Sequence, residues 1–421
     1  MSPLRTSWRG ISASLLFLST VLVNGCGSDG SSSSTSKPFA SVVFLGDSLT
    51  AGYQNGSLLD SQQKNGYAAL IATQANFSLT LPLIAPPGAP AVLQLVKAGP
   101  PPVIVTASGT TTGRDNPTEQ PTDLAVPGHL LHDILNTTPS AVATTGQQQM
   151  TNLVLAFPAG NTKSQLDEAI ALKPSTVIVW AGNNDALIAD EEGTPSVMTS
   201  LASFTTDFTQ LMTTLKSKTS ANLVVANIPD VTAVPYMVPA NTVIAQVSAL
   251  TSLPASTVAA ILGIQNGDLV NLDGVQALQA SAAAGKLTKL ADNYVLTASE
   301  VVTVQAAVNS YNQVIQQQAQ AVGATVVDMH AYFASMQAGV TVNGKTATTA
   351  FLGGLFGLDG IHPSNTGYAL LANQFLSALN AKLSLAIPLV NVDGIATKDP
   401  LVGLNIPAVK QAVPAIHLPL R

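Results

Sequence analysis

Short uninterrupted apolar runs, each meeting a cluster of small or polar residues, recur along the chain at residues 40–45 (ASVVFL), 175–180 (STVIVW), 222–226 (NLVVA) and 324–327 (ATVV). Runs of this length without polar alternation predict strands buried on both faces. The last three are each preceded by a stretch with helical spacing, so the alternation predicts parallel strands joined by crossover helices, an α/β chain. Helices are expected over residues 165–172, 198–218, 297–321 and 365–383. Thr297-Ala298-Ser299-Glu300 has a capping-box pattern, and Ser364 after Pro363 is a cap for the last helix.

Two stretches break this rhythm. Residues 80–122 carry nine prolines, from Pro82 to Pro121, and read as an irregular excursion with at most short strands. Residues 231–296 are rich in Ala, Val and Leu and read as small helices inserted between core segments; their apolar character suggests a lid or an acyl-chain wall. A proline-containing tail, residues 386–421, follows the last helix and is expected to wrap over the surface. The folded domain is therefore placed at residues 39–385. No internal repeat of fixed period is present.

At the amino terminus Arg5 and Arg9 precede the uncharged stretch 11–23 (ISASLLFLSTVLV), the layout of an export signal. Thirteen residues are too few to cross a hydrocarbon core that needs about 20. Residues 1–25 are thus expected to be removed, and the Gly/Ser-rich residues 26–38 to form a flexible linker. The single cysteine, Cys26, has no internal partner for a disulfide.

Composition narrows the partners. With 46% hydrophobic and only 10% charged residues the chain is a packed globular protein, not a disordered one. Its net charge is -6, from 17 Lys+Arg against 23 Asp+Glu, and it has no basic run; this argues against nucleic acid, whose phosphates require clustered cations. Loss of Arg5 and Arg9 with the signal would leave 15 against 23, or -8.

Two segments can carry chemistry. Gly46-Asp47-Ser48-Leu49 places a serine directly after a buried strand, at the carboxyl edge of a parallel sheet, where such folds bind ligands. Leu358-Asp359-Gly360-Ile361-His362-Pro363 puts a carboxylate and an imidazole three residues apart in a loop before a helix. A serine hydroxyl needs a base to take its proton, and a histidine base works best when a carboxylate fixes its tautomer. Taken singly, a surface turn and a helix cap are the better accounts of the two segments. His129, His132 and Asp133 could suggest a metal, but no further His or Cys cluster accompanies them and no metal is expected; one of these histidines could line the pocket. His330 and His417 are read as structural or exposed, Trp180 as strand core, and Asp185 as a carboxylate holding its loop.

Together these residues resemble the SGNH hydrolases, also called GDSL lipases and esterases. Block one of that family is matched by Gly46-Asp47-Ser48-Leu49, block two by residues 123–128 (DLAVPG), block three by Gly182-Asn183-Asn184-Asp185 and block five by Asp359 to His362, in family order. The resemblance implies a three-layer α/β/α sandwich with a flavodoxin-like parallel sheet, no metal or other cofactor, and hydrolysis of a small-molecule or lipid ester through an acyl-serine. Ser48, Asp359 and His362 would be catalytic. Ser48, Gly128 and Asn184 would form the oxyanion hole. Asp123 departs from the pattern, since many members have Asn there. Residues 23–26 (VNGC) are similar to the lipobox of bacterial lipoproteins, which implies lipidation of Cys26 and attachment to the cell envelope; without an acidic residue after the cysteine, the outer membrane is expected. An ordinary secretory signal is the other reading. A short-chain or carbohydrate deacetylase, and an inactive binding lipoprotein on the same scaffold, are the alternative functions.

Overall fold

The computed structural model describes residues 38–98, 102–283 and 286–404. The signal, linker and Cys26 expectations, apart from Pro38, lie outside these residues, as do His417 and the end of the tail. Four parallel strands, Val42–Gly46, Thr176–Trp180, Asn222–Ala226 and Thr325–Val327, lie side by side in chain order. Every residue of the first two is buried, which is why they read as continuous apolar runs.

A fifth parallel segment, not expected from the sequence, completes the sheet. Residues 122–126 run along the outer edge of the first strand: Phe44 N–H donates to Thr122 O (2.9 Å), Leu124 N–H to Phe44 O (3.0 Å) and Val126 N–H to Gly46 O (3.2 Å). Pro121 and Pro127 bracket this segment and hide its strand character. Numbered along the chain, the order becomes 2-1-3-4-5, the flavodoxin-like arrangement. Its switch point lies between the strands ending at Gly46 and Trp180, where ligands bind in open α/β sheets.

Helices cover both faces. Phe44 and Trp180 pack against Tyr67 and Phe375 of helices Tyr67–Ala75 and Asn365–Leu383, with the Tyr67 and Phe375 rings stacked at 4.7 Å. Helices Leu201–Lys218 and Ala298–Val322 form another aromatic layer through Phe204, Phe208 and Tyr311. Such ring pairs add about 0.5–1.5 kcal/mol each beyond their area burial. The caps sit where the sequence puts them: Glu300 N–H donates to Thr297 Oγ1 while Thr297 N–H donates to the Glu300 carboxylate, and Gly367 N–H donates to Ser364 Oγ.

The excursion before residue 122 forms an antiparallel pair, Leu93–Lys97 with Val103–Thr106. Residues 231–296 contain helices Ala240–Thr251, Ala255–Leu262 and Leu272–Ala283, threaded by a three-stranded antiparallel sheet, Met237–Pro239, Leu269–Asn271 and Val295–Leu296. The tail returns to the last helix: Thr366 N–H and hydroxyl both donate to buried Asp399. Among the described residues no single helix is long and apolar enough to cross a membrane.

Candidate active site

The first strand ends in Gly46, and no other residue fits there, because a Cβ would lie 2.5 Å from Trp180 O on the neighbouring strand. Asp47 then caps the single helical turn Ser48–Ala51, accepting from Leu49 N–H (3.0 Å) with one oxygen and from the Asn183 amide (2.8 Å) with the other. That second bond spans the switch point and ties the serine turn to the loop after the second strand. Asp47 is fully buried; burial pushes its pKa up to about 6, with Asn183 and Leu49 holding it down in part.

His362 and Asp359 form the other half of the site. Asp359 Oδ1 accepts from the main-chain N–H of Ile361 and His362 (2.9 Å each), and Oδ2 accepts from Gly56 N–H (2.7 Å) and lies 3.1 Å from His362 Nδ1. Burial alone would raise this carboxyl, but the facing imidazole and these hydrogen bonds outweigh it and leave the pKa below its ordinary value. A carboxylate acceptor makes His362 Nδ1 the protonated nitrogen, so Nε2 carries the lone pair of the neutral ring. Nε2 is buried and makes no hydrogen bond. The Tyr53 ring packs on the imidazole with centroids 4.6 Å apart, a contact the sequence gives no sign of.

The oxyanion candidates sit on the adjoining loops. Gly128 has φ +81°, a conformation that favours glycine, and a Cβ there would displace the Gln147 carboxamide, whose Oε1 would lie 2.2 Å away. Asn184 donates one amide hydrogen to His129 O (3.0 Å), leaving the other unassigned. Asp185 accepts from Leu131 N–H (2.8 Å) and so fastens the third block to the helix after the second. Asp123 accepts from Ala125 N–H, and burial pushes its pKa up to about 8.

Ser48, Asn183, Asn184 and His362 line one cleft, joined by Leu49, Trp180, Leu187, Val231, Val234, Phe356 and a stripe of Met329, Phe333 and Met336. Ser48 and His362, 314 positions apart in sequence, thus meet at one surface. Nothing in the sequence marks the Met329, Phe333, Met336 stripe beyond its spacing of four and three residues, which is that of one face of a helix. Among the described residues of 231–296, Val231 and Val234 line the cleft, and none from the helices that suggested a lid does.

Neither His129 nor His132 lines the cleft, which corrects the expectation for them. His129 is fully buried, its two ring nitrogens paired with Thr151 and Gln165, and burial pulls its pKa down to about 4. His132 is exposed and sits 3.2 Å from Asp207. His330 Nδ1 lies 3.0 Å from Ile228 O, in a structural setting.

A serine and an Asp–His pair at the switch point of a doubly wound sheet is an arrangement of α/β hydrolytic proteins. The chain belongs to the GDSL-like lipase/acylhydrolase family, whose model matches residues 42–375. Similar solved structures include LAE5, an α/β-hydrolase enzyme from the metagenome of Lake Arreo, Spain (13% identity, 81% of this chain and 96% of that chain, TM-score 0.38). Axe2, an acetylxylan esterase from Geobacillus stearothermophilus, is 13% identical over 82% of this chain and 96% of its own, with TM-score 0.37. A lipase/acylhydrolase from Enterococcus faecalis is 14% identical over 83% and 100%, with TM-score 0.34. No curated protein sequence matches.

Proposed function

We propose that the chain hydrolyses carboxylic esters carrying an apolar acyl or alkyl chain, through an acyl-Ser48 intermediate. The observation that carries this reading is His362, with Nδ1 taken by a buried carboxylate and Nε2 buried without a partner, lining the same cleft as Ser48. Ser48 Oγ attacks the ester carbonyl as His362 Nε2 takes its proton. The Ser48 and Gly128 N–H groups and the free hydrogen of the Asn184 amide receive the oxyanion. Collapse breaks the bond to the alkoxide, which leaves as alcohol with the proton from His362. Water, deprotonated by the same nitrogen, then releases the acid and restores Ser48.

The cleft wall argues for the apolar substrate. Beyond the reacting groups and Asn183, it consists of side chains such as Val231, Val234, Met329, Phe333 and Met336. Each acyl methylene buried is worth about 0.8 kcal/mol, roughly fourfold. In a series of nitrophenyl esters, kcat/KM should therefore climb from acetate by up to that factor per methylene until the cleft is full. Activity confined to acetate would point instead to the deacetylase.

We also infer, from residues 1–26, that the mature protein is lipidated on Cys26 and held at the bacterial cell envelope, at the outer membrane in a two-membrane cell. Radiolabelled palmitate fed to expressing cells should enter the wild-type chain and not Cys26→Ser. Equal labelling of the two would remove the anchor.

A further inference from the structure

Gln165, at the first turn of its helix, does not line the cleft, yet its carboxamide joins the strand end before Ser48 to the loop that carries Gly128. Oε1 accepts from Gly46 N–H (3.0 Å), while Nε2 lies 3.0 Å from both Gly46 O and His129 Nδ1. A main-chain N–H only donates, so the oxygen and nitrogen of this amide are fixed, and both Nε2 hydrogens are used. His129 Nδ1 must therefore be an acceptor, and its Nε2–H donates to Thr151 Oγ1 (2.9 Å), whose own proton goes to Gln147 O (2.9 Å).

This chain of bonds has no slack. Gln165 and His129 are fully buried and Thr151 is 1% exposed. At one end it grips both polar groups of Gly46, two residues before Ser48. At the other it locks the His129 ring, whose own carbonyl accepts from the Asn184 amide and whose preceding residue is Gly128. Gln147 also donates from Nε2 to Pro127 O (2.9 Å), closing the network around that turn.

We propose that Gln165 is a positioning residue that sets the separation between the Ser48 nucleophile and the two oxyanion donors, Gly128 N–H and the Asn184 amide. The proposal rests on the ester-hydrolase reading above. Because those donors act on charge that develops only in the transition state, a shift of a few tenths of an ångström should lower kcat and leave ester binding unchanged.

The test is a kinetic cycle on a nitrophenyl ester with Gln165→Met, Asn184→Ala and the double variant, each checked for fold by circular dichroism. Gln165→Met keeps the side-chain length and removes every bond; Gln165→Glu, which keeps an acceptor for Gly46 N–H, takes its place should the first not fold. The expected result is a 10- to 100-fold fall in kcat with KM within twofold, and a loss in the double variant that falls well short of the product of the two single losses, since the Asn184 amide is one of the two donors that Gln165 places. Wild-type kcat in the folded variant, a loss confined to KM, or losses that multiply in the double variant would overturn the proposal while leaving the hydrolase reading intact. A wild-type protein that neither turns over esters nor takes a fluorophosphonate on Ser48 would overturn both.

Discussion

Ser48→Ala should lose on the order of 10⁴-fold or more in ester turnover and take up no fluorophosphonate, while keeping the stability of the parent. The expectation of unchanged folding follows from what the side chain does not do. The turn is held by Asp47, through its bonds from Leu49 N–H and Asn183, and by Ser48 O, which accepts from the N–H groups of Gly52 and Tyr53. All of these survive removal of the hydroxyl. A Ser48→Ala protein that still reacts with fluorophosphonate would put the nucleophile elsewhere.

Asp359→Asn should lower kcat by a comparable factor, about 10⁴, and unlike Ser48→Ala it should also lower the melting temperature. Both carboxylate oxygens act only as acceptors, one for Ile361 and His362 N–H, the other for Gly56 N–H and the His362 ring. An amide nitrogen in either place confronts a main-chain donor. Placed toward Gly56, at 2.7 Å, it would also turn His362 Nδ1 into an acceptor and move the ring proton to Nε2, which then has no lone pair for Ser48. Stopped-flow acylation and thermal melts check both halves; near-wild-type acylation would mean that the carboxylate does not set the tautomer.

What could be read from the sequence, and what could not, divides by range. The first two strands were legible because burial on both faces leaves them without polar interruption, and the helix starts at Ala298 and Asn365 because their caps are local. The 231–296 sheet was not legible: strands of two and three residues are too short to show alternation. The same holds for residues 122–126, whose pairing depends on the first strand some 80 positions earlier. At the site, the residue types of the four blocks pointed to Ser48, Asn184, Asp359 and His362. Their supports did not show, because Gly56 meets Asp359 across 303 positions and Gln165 meets Gly46 across 119. A glutamine at the first turn of a helix carries no mark of such a partner.

The way the Asp359–His362 loop is seated bears on how this scaffold can be trimmed. Tyr236, from the inserted region, donates its N–H to Gly360 O (2.9 Å), and Gly360, at φ +72°, lies too close to Tyr236 and Leu272 to carry a side chain easily. The Asn271 amide of the same region reaches Asp190 O and Glu191 O, at the end of the helix that begins with Asn183 and Asn184. The extra residues thus brace the reactive loops through main-chain groups. Excising them to make a smaller catalyst would leave a bare carbonyl at position 360 and an unbuttressed helix end, so any compact redesign must supply a new donor there.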